Sequence, residues 1–544
     1  MSAPPSGRTI TGVPIHGYRP VRPALVITVF CLGLFMTLHD ITIVNIAIPD
    51  LVTDLNATLE TVLWVGSAYS LTYTVLLITA GRLSDIYGPR RLFLIGLTVF
   101  TAASLASGLA QTPGQLIAFR AVQGIGAALL APQGLPIITS ILPTAKRGPA
   151  FAAIGIMSGL GVLLGPTLGG YLVTNFGWRW IFFLNIPIGV VAFALAFVVM
   201  PDVRPGIKHR LDVPGVLLLT AGLFGVVFGL IEGERYGWGT VAGFLTIPMV
   251  IAAGAVLLGL FLWRQVRTQD AEPLLPFAVF TDRTFTVMTL VLLAMGFAMV
   301  GVFLPMTIYY QSVLGLNAVA AGLVIGTQSL AMMITSGVVG GLSGSGRISM
   351  KWVLIGGLLL FAAGLVYVVA VAAPDSGQWA FVPGLVAAGI GLGCVWTPVF
   401  GLATRDMPPS RAGIGAGVLD TVQEFGAVLA TAILGALLAN RLTAAMTTQA
   451  QAAAAALPRA GAGAVHRRND EGGFRRHRGG RRSGVGHGAA GRRAGPGGRA
   501  DPRGRAVRIL RGVHRRDAPD DGGADRGDPA GRWCGAVSEV QAGC

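Results

Sequence analysis

Thirteen stretches of this chain are each apolar for about 20 residues, the length a helix needs to cross the hydrocarbon of a bilayer. They lie near 24–48, 61–80, 92–110, 115–139, 150–173, 178–200, 213–231, 241–263, 284–309, 319–341, 352–373, 380–400 and 413–439. In lipid, each segment must satisfy its own backbone polar groups, so the chain reads as an all-α membrane protein. Charged residues make up 12% of the chain, against roughly a quarter in soluble domains, which argues against a soluble enzyme. An apolar content of 53% excludes disorder over most of its length. The 78 glycines follow no every-third-residue register, so collagen is excluded too.

The polar breaks test the count. With the N-terminus in the cytoplasm and sides alternating, the inside segments hold Arg8, Arg19, Arg22, Arg82, Arg90, Arg91, Lys146, Arg147, Arg204, Lys208, Arg210, Arg264, Arg267, Arg283, Arg347, Lys351, Arg405 and Arg411. The outside segments hold only Arg179, Arg235 and Arg441. Eighteen against three satisfies the positive-inside rule at every turn, and a missed span would reverse the pattern from that point on. Residues 1–23 lack the apolar core of a signal peptide, so the first span is expected to be an uncleaved anchor. A multi-pass protein of the cytoplasmic (inner) membrane, N-terminus inside, is expected.

The net charge of +16 is unevenly spread: residues 1–458 carry +6 and residues 459–544 carry +10. That last segment has 19 Arg, 21 Gly and no Lys. A nucleic-acid-binding tail would need aromatic stacking partners, and only Phe474 and Trp533 are present. A GC-rich gene read out of frame yields Arg, Gly, Ala and Pro, so the tail is read as frame-shifted or disordered. No nucleic-acid partner is expected, and a fourteenth span is expected to be missing. Cys31, Cys394, Cys534 and Cys544 form no CxxC pair, so isolated thiols are expected, with no metal set and no cofactor.

Ionisable groups inside spans are costly, and the body has few: His39, Asp40, Arg120, Asp420 and Glu424. Asp40 and Arg120 fall roughly 13 and 8 Å below the outer surface at 1.5 Å per residue, close enough to pair. Such a pair would couple a proton at Asp40 to structure, or be a fixed structural bridge. Asp420 and Glu424 lie one turn apart on one face, which suits a proton carrier or a cation site, or else a water-lined mouth. His39 is expected to pack or hydrogen-bond beside Asp40, with a direct proton role as the alternative. Asn45, Tyr69, Tyr73, Gln123 and Gln328 are half-polar positions that could line a cavity, whereas Tyr309 and Tyr310 read as interfacial anchors. The loops are short and carry no catalytic cluster, so an enzyme is not expected.

The segment Gly81-Arg-Leu-Ser-Asp85-Ile-Tyr-Gly88-Pro-Arg90-Arg91 reads as a tight loop whose Asp85 could exchange partners among three arginines at the inner face, or else as a solvated basic loop that only sets topology. Gly340-Gly-Leu-Ser-Gly344 echoes it, faint evidence that spans 9 onward repeat spans 1–6 with spans 7–8 inserted. Gly161, Gly165 and Gly169, at i, i+4 and i+8, form a bare helical stripe that lets another helix approach closely, Pro166 among them gives a bend, and Gly170 follows the stripe.

Together these segments resemble the major facilitator superfamily, and within it the fourteen-span drug:proton antiporter branch. Asp40-Ile-Thr42-Ile-Val-Asn45-Ile-Ala47-Ile-Pro49 is similar to the branch's first-span motif. The Gly81–Arg91 segment is similar to the loop 2–3 motif. Arg120-Ala-Val-Gln123-Gly124 is similar to the fourth-span motif, and Gly161-Val-Leu-Leu-Gly165-Pro166 to the antiporter motif of span 5. Trp178-Arg179-Trp180…Asn185-Ile-Pro187 is similar to the opening of span 6.

The resemblance implies two six-helix halves with two inserted helices. The expected divisions are 1–23, 24–200, 201–283, 284–458 and the tail 459–544. It also implies proton-driven export of lipophilic, often cationic, drugs or antibiotics by alternating access. Protons, the bilayer and a small lipophilic molecule would be its partners, acting on a monomer. Asp40 would take the proton with Arg120 as partner, Asp85 would belong to the inner gate, and the span 5 stripe would be the seam between domains. Proton-coupled nutrient uptake and an inactive truncated product are the alternatives.

Overall fold

The computed structural model describes residues 22–456, apart from 203–210, 270–272, 317 and 344–347 and the side chains of 145, 162, 166, 304, 318, 319, 409 and 452–456. The chain divides into two compact units, Met1–Pro458 and Arg459–Cys544. The second unit, and the N-terminal segment up to residue 21, lie outside the described residues.

Among the described residues thirteen helices are long and apolar enough to span a membrane. They are α1 (Pro23–Asp54), α2 (Leu59–Tyr87), α3 (Pro89–Gly108), α4 (Pro113–Ile141), α5 (Gly148–Phe176), α6 (Arg179–Val199) and α7 (Val213–Glu232). The rest are α8 (Ile247–Arg267), α9 (Arg283–Val313), α10 (Ala320–Ser343), α11 (Met350–Ala370), α12 (Gln378–Ala403) and α13 (Ala412–Gln451). The chain is a multi-pass, all-α membrane protein; the exception is a small hairpin pairing Thr240–Ala242 with Leu245–Thr246.

Local chemistry sets the helix ends. Proline, which has no N–H to leave unpaired, opens α3 and α4 at Pro89 and Pro113. Thr58 and Thr112 accept the N–H groups of Thr61 and Gln115 at 3.2 and 3.3 Å. Gly88, at φ 88°, turns α2 directly into α3. The expected loop at Gly81–Arg91 is therefore corrected: Gly81, Asp85 and the residues through Tyr87 are the last turns of α2. Small and polar residues look like a loop in sequence, but here they form a close helix contact.

In the first half α2 and α3 pack on α4, while α5 and α6 pack on α1. In the second, α10 and α11 pack on α12, and α9 on α13. Two seams join the halves, α5 along α10 and α2 along α13. The inserted helices α7 and α8 pack mainly on each other, with α7 also touching α2.

The glycine stripe of α5 does not face the seam. A methyl group at Gly161 would meet Leu38 Cβ at 2.9 Å, one at Gly165 would meet Thr42 Cβ at 2.8 Å, and one at Gly169 would meet Ile43 Cγ1 at 2.7 Å. All three partners belong to α1, in the same half. Nothing lies within 4 Å of a methyl at Gly170, and the side chain of Pro166 lies outside the described residues. The seam uses other α5 glycines: Gly155 faces Ser336 at 2.9 Å and Gly159 faces Ser329 O at 3.3 Å. Spacing shows which residues share a helix face, but not which helix covers that face.

At one end of the bundle Asp212 caps α7, accepting Gly215 N–H at 3.0 Å, and binds Arg264 and Gln265 of α8 at 2.8 and 2.9 Å. Burial works to raise its carboxyl, but Arg264, the Gly215 amide and Gln265 together hold it below the ordinary carboxylate range. A value lower in the folded state stabilises above the unfolded pKa and is lost as pH falls through it. Asp212→Ala is expected to cost about 1 kcal/mol or more at neutral pH and nearly nothing well below pH 4, read from thermal melts. Equal costs at both pH values would remove the ion pair from the account.

Candidate functional site

The centre of the first half holds a buried charge network. Asp40, 0% exposed, pairs with Arg120 Nη1, 1% exposed, bridging α1 and α4. Gln123 completes the ring: its Oε1 accepts from Arg120 at 2.8 Å and its Nε2 donates to Asp40 Oδ1 at 2.9 Å. Asn185 of α6 donates to the same Oδ1 and to Ser104 Oγ, both at 3.1 Å. Arg120 Nε donates to Val65 O at 3.2 Å, and its guanidinium lies 4.3 Å from the centre of the Tyr69 ring. A buried pair is tolerated when its remaining lone pairs and protons find partners, and here two amides and an aromatic face supply them.

Tyr69 and Gln123, expected to line a cavity, instead form the wall and the clasp of this pair. Gln123 is fixed by hydrogen bonds to both charges, and Tyr69 by its hydroxyl on Thr37 O and its ring against the Arg120 guanidinium. His39 stacks on Phe35 at 5.3 Å, and its Nε2 finds no partner among the described residues.

Tyr69 stacks on Tyr73 one turn along α2, 6.0 Å away. Tyr73 borders a cavity of about 70 Å³ together with Asp420, Gln423 and Glu424 of α13. Phe30 and Leu38 line it from the first half and Trp396 from the second, so it lies between the halves. Gln328 lines a neighbouring cavity of about 50 Å³ with Ser158 of α5 and Met299 of α9. Asn45 lines a third, of about 230 Å³, with Thr42, Thr167, Thr307 and Gln311. Tyr309 donates to Ala373 O at 2.7 Å. Tyr310 is corrected from interfacial anchor to buried residue, 0% exposed and packed 5.2 Å from the Phe381 ring.

At the basic end of the bundle Asp85 Oδ1 and Oδ2 accept the N–H groups of Gly413 and Ile414, each at 2.8 Å. These are orphan donors at the start of α13, where the helix dipole favours a negative charge. Asp85 is therefore fixed across the α2–α13 seam. Gly81 makes room for the approach, since a methyl there would meet Gly417 Cα at 3.1 Å. Arg90 donates to Phe197 O of α6 instead of joining Asp85, and Arg91 is exposed. Asp85→Asn replaces one acceptor by a donor and removes the charge. Charge-assisted bonds are worth about 1.5–3 kcal/mol, so closure of this end should weaken by about thirty-fold. Spin labels on the α2 and α13 ends would read it, and an unchanged distance distribution would show that the carboxylate contributes nothing to closure.

The family model described as Major Facilitator Superfamily matches residues 30–431. The chain belongs to this superfamily.

Among relatives of this facilitator, an uncharacterised MFS-type transporter of Mycobacterium tuberculosis is 39% identical over 420 residues, covering 76% of this chain and 70% of the relative. The tetracenomycin C resistance and export protein of Streptomyces glaucescens is 34% identical over 444 residues, covering 80% and 79%. A crystal structure of the human organic anion transporter MFSD10 shares the fold at a TM-score of 0.53 and 16% identity, covering 77% of this chain and 94% of that one.

The facilitator's sequence hid two features of its site. Asn185 stands in an apolar span, but an uncharged amide gives no hint that it grips a carboxylate. Gly413 and Ile414 act through backbone N–H groups, which any residue other than proline carries. The available signal was Asp85 itself, an acid among basic residues with no acidic neighbour to repel it.

Proposed function

We propose that this facilitator exports lipophilic, often cationic, drugs or antibiotics across the cytoplasmic membrane, driven by protons and working by alternating access as a monomer. The observation that carries the reading is the fully buried Asp40–Arg120 pair, held by Gln123 and Asn185. A fixed ion pair needs no place in the middle of a membrane, whereas a carboxylate that gains and loses a proton there can bias a packed bundle between two arrangements. The name of the Streptomyces relative, a resistance and export protein, supports export as the direction. The eighteen-to-three bias of basic residues supports placing the Asp85 end inside.

On this reading the structure is the state closed on the inner face, by Asp85 on α13 and by α5 along α10. A proton arriving at Asp40 removes its charge and slackens the hold on Arg120. That shifts α4 against α1 and Tyr69, and Tyr69 rests on the Tyr73 wall of the cavity between the halves. Asp420 and Glu424 give that cavity two carboxyl groups for a cationic cargo.

The test is accumulation of a fluorescent lipophilic cation in inside-out vesicles under an imposed proton gradient. Accumulation that collapses with the gradient is expected; none above empty vesicles would overturn the reading. Glu424→Gln is expected to lower the rate for a dication about tenfold while sparing a monocation, equivalent to about 1.4 kcal/mol of lost attraction. An equal fall for both would remove Glu424 from cargo recognition.

A further inference from the structure

The two seams meet the basic end in parallel ways, but they are chemically different. At one, Gly81 of α2 lies against Gly417 of α13, and Asp85 binds the exposed amides of that helix. At the other, Gly340 of α10 lies against the start of α5, where a methyl would meet Gly148 O at 3.0 Å. The internal echo in sequence places Gly344 where the first seam has Asp85, so this position supplies no carboxylate.

Beside the second contact is a cavity of about 590 Å³, lined by Thr144, Arg147, Ser343, Ser349, Lys351 and Arg405 among others. No Asp or Glu lines it among the described residues. Arg147 is only 6% exposed. It gives its N–H groups to the carbonyls of Leu142, Thr404 and Thr139 at 3.1, 3.1 and 3.3 Å, and no carboxylate pairs with it among the described residues. Burial alone pulls its pKa below the ordinary arginine value. A buried cation satisfied only by dipoles is poorly compensated, and two more cations face the same space. Lys351 lies over the ring of Trp352, which is 67% exposed on α11.

We propose that this pocket binds a phosphate-bearing anion, either the headgroup of an acidic lipid or free phosphate, which bridges the two halves as Asp85 does at the other seam. Arg147 reaches the anion from the first half, and Lys351, Ser349 and Arg405 reach it from the second. Three cations and several hydroxyls suit tetrahedral oxygens better than a single carboxylate, and basic pockets between helices at this depth favour acidic headgroups.

The full chain in phosphatidylcholine nanodiscs provides the test, with thermal unfolding as the readout. Adding phosphatidylglycerol, or millimolar inorganic phosphate with chloride as the ionic-strength control, is expected to raise the midpoint by several degrees. A rise with lipid alone assigns the site to a headgroup, and a rise with both assigns it to phosphate from either source. Lys351→Gln combined with Arg405→Gln is expected to lose the rise. Both side chains are exposed, so the variant should fold; native mass spectrometry of retained phosphatidylglycerol provides a second readout on Arg405→Gln alone. No rise from either addition would overturn the proposal. So would an equal rise, or equal lipid retention, in the variants.

Discussion

Asp40→Asn is expected to reduce proton-driven export to the level of empty vesicles while leaving the protein folded in the membrane. The substitution is nearly isosteric. The new Oδ1 still accepts from Gln123 and Asn185, while the new Nδ2 stands where Oδ2 held Arg120, which keeps Gln123, Val65 O and the Tyr69 ring as its partners. What disappears is the group that can take and release a proton. An inert network with an intact fold should therefore result, read as normal membrane abundance with no accumulation of cargo. On the proposed alternating-access reading, gradient-independent exchange of cargo is expected to persist in this variant, because only the coupling is lost. Wild-type accumulation in this variant would show that the buried pair is structural and that protons are coupled elsewhere, with Asp420 and Glu424 the next candidates.

Arg120→Leu carries the largest expected loss of stability. Removing one member of a buried pair leaves the other charge without compensation and typically costs about 3–5 kcal/mol. Here the loss also strips Val65 O of its donor, Gln123 of a partner and the Tyr69 ring of its cation. Combining Asp40→Asn with Arg120→Leu removes the stranded charge, so the double variant should be more stable than Arg120→Leu alone. That restoration is the signature of a coupled pair. Thermal melts of the four proteins in one lipid mixture measure it. Costs that simply add would mean that the two side chains contribute to stability independently.

The pair could be found in the sequence because charge is scarce in apolar spans: Asp40 and Arg120 stood out and their depths matched. The thirteen spans were legible for a related reason, since alternating basic loops fix each crossing. The partners of the charges were not. Gln123 and Asn185 are uncharged amides, which lipid-facing and buried positions both tolerate, and nothing in their spacing points to Asp40. The close packing of α5 was visible in Gly161, Gly165 and Gly169, but its partner was not, because α1 and α10 flank the same helix. The last turns of α2 read as a loop because Gly81 and Asp85 are small or polar for reasons of contact with α13, and local propensity cannot express that.

One helix touches every part of this arrangement. Tyr69 supports Arg120, Tyr73 walls the cavity, and Asp85 holds the start of α13, all on α2. From Tyr69 to Asp85 is 16 residues, or about 24 Å of unbroken helix at 1.5 Å per residue. No proline interrupts it to absorb a displacement. On the proposed reading this helix is a connecting rod, and the slippage of proton-driven export, meaning protons passed with no cargo moved, is set by how stiff that rod is.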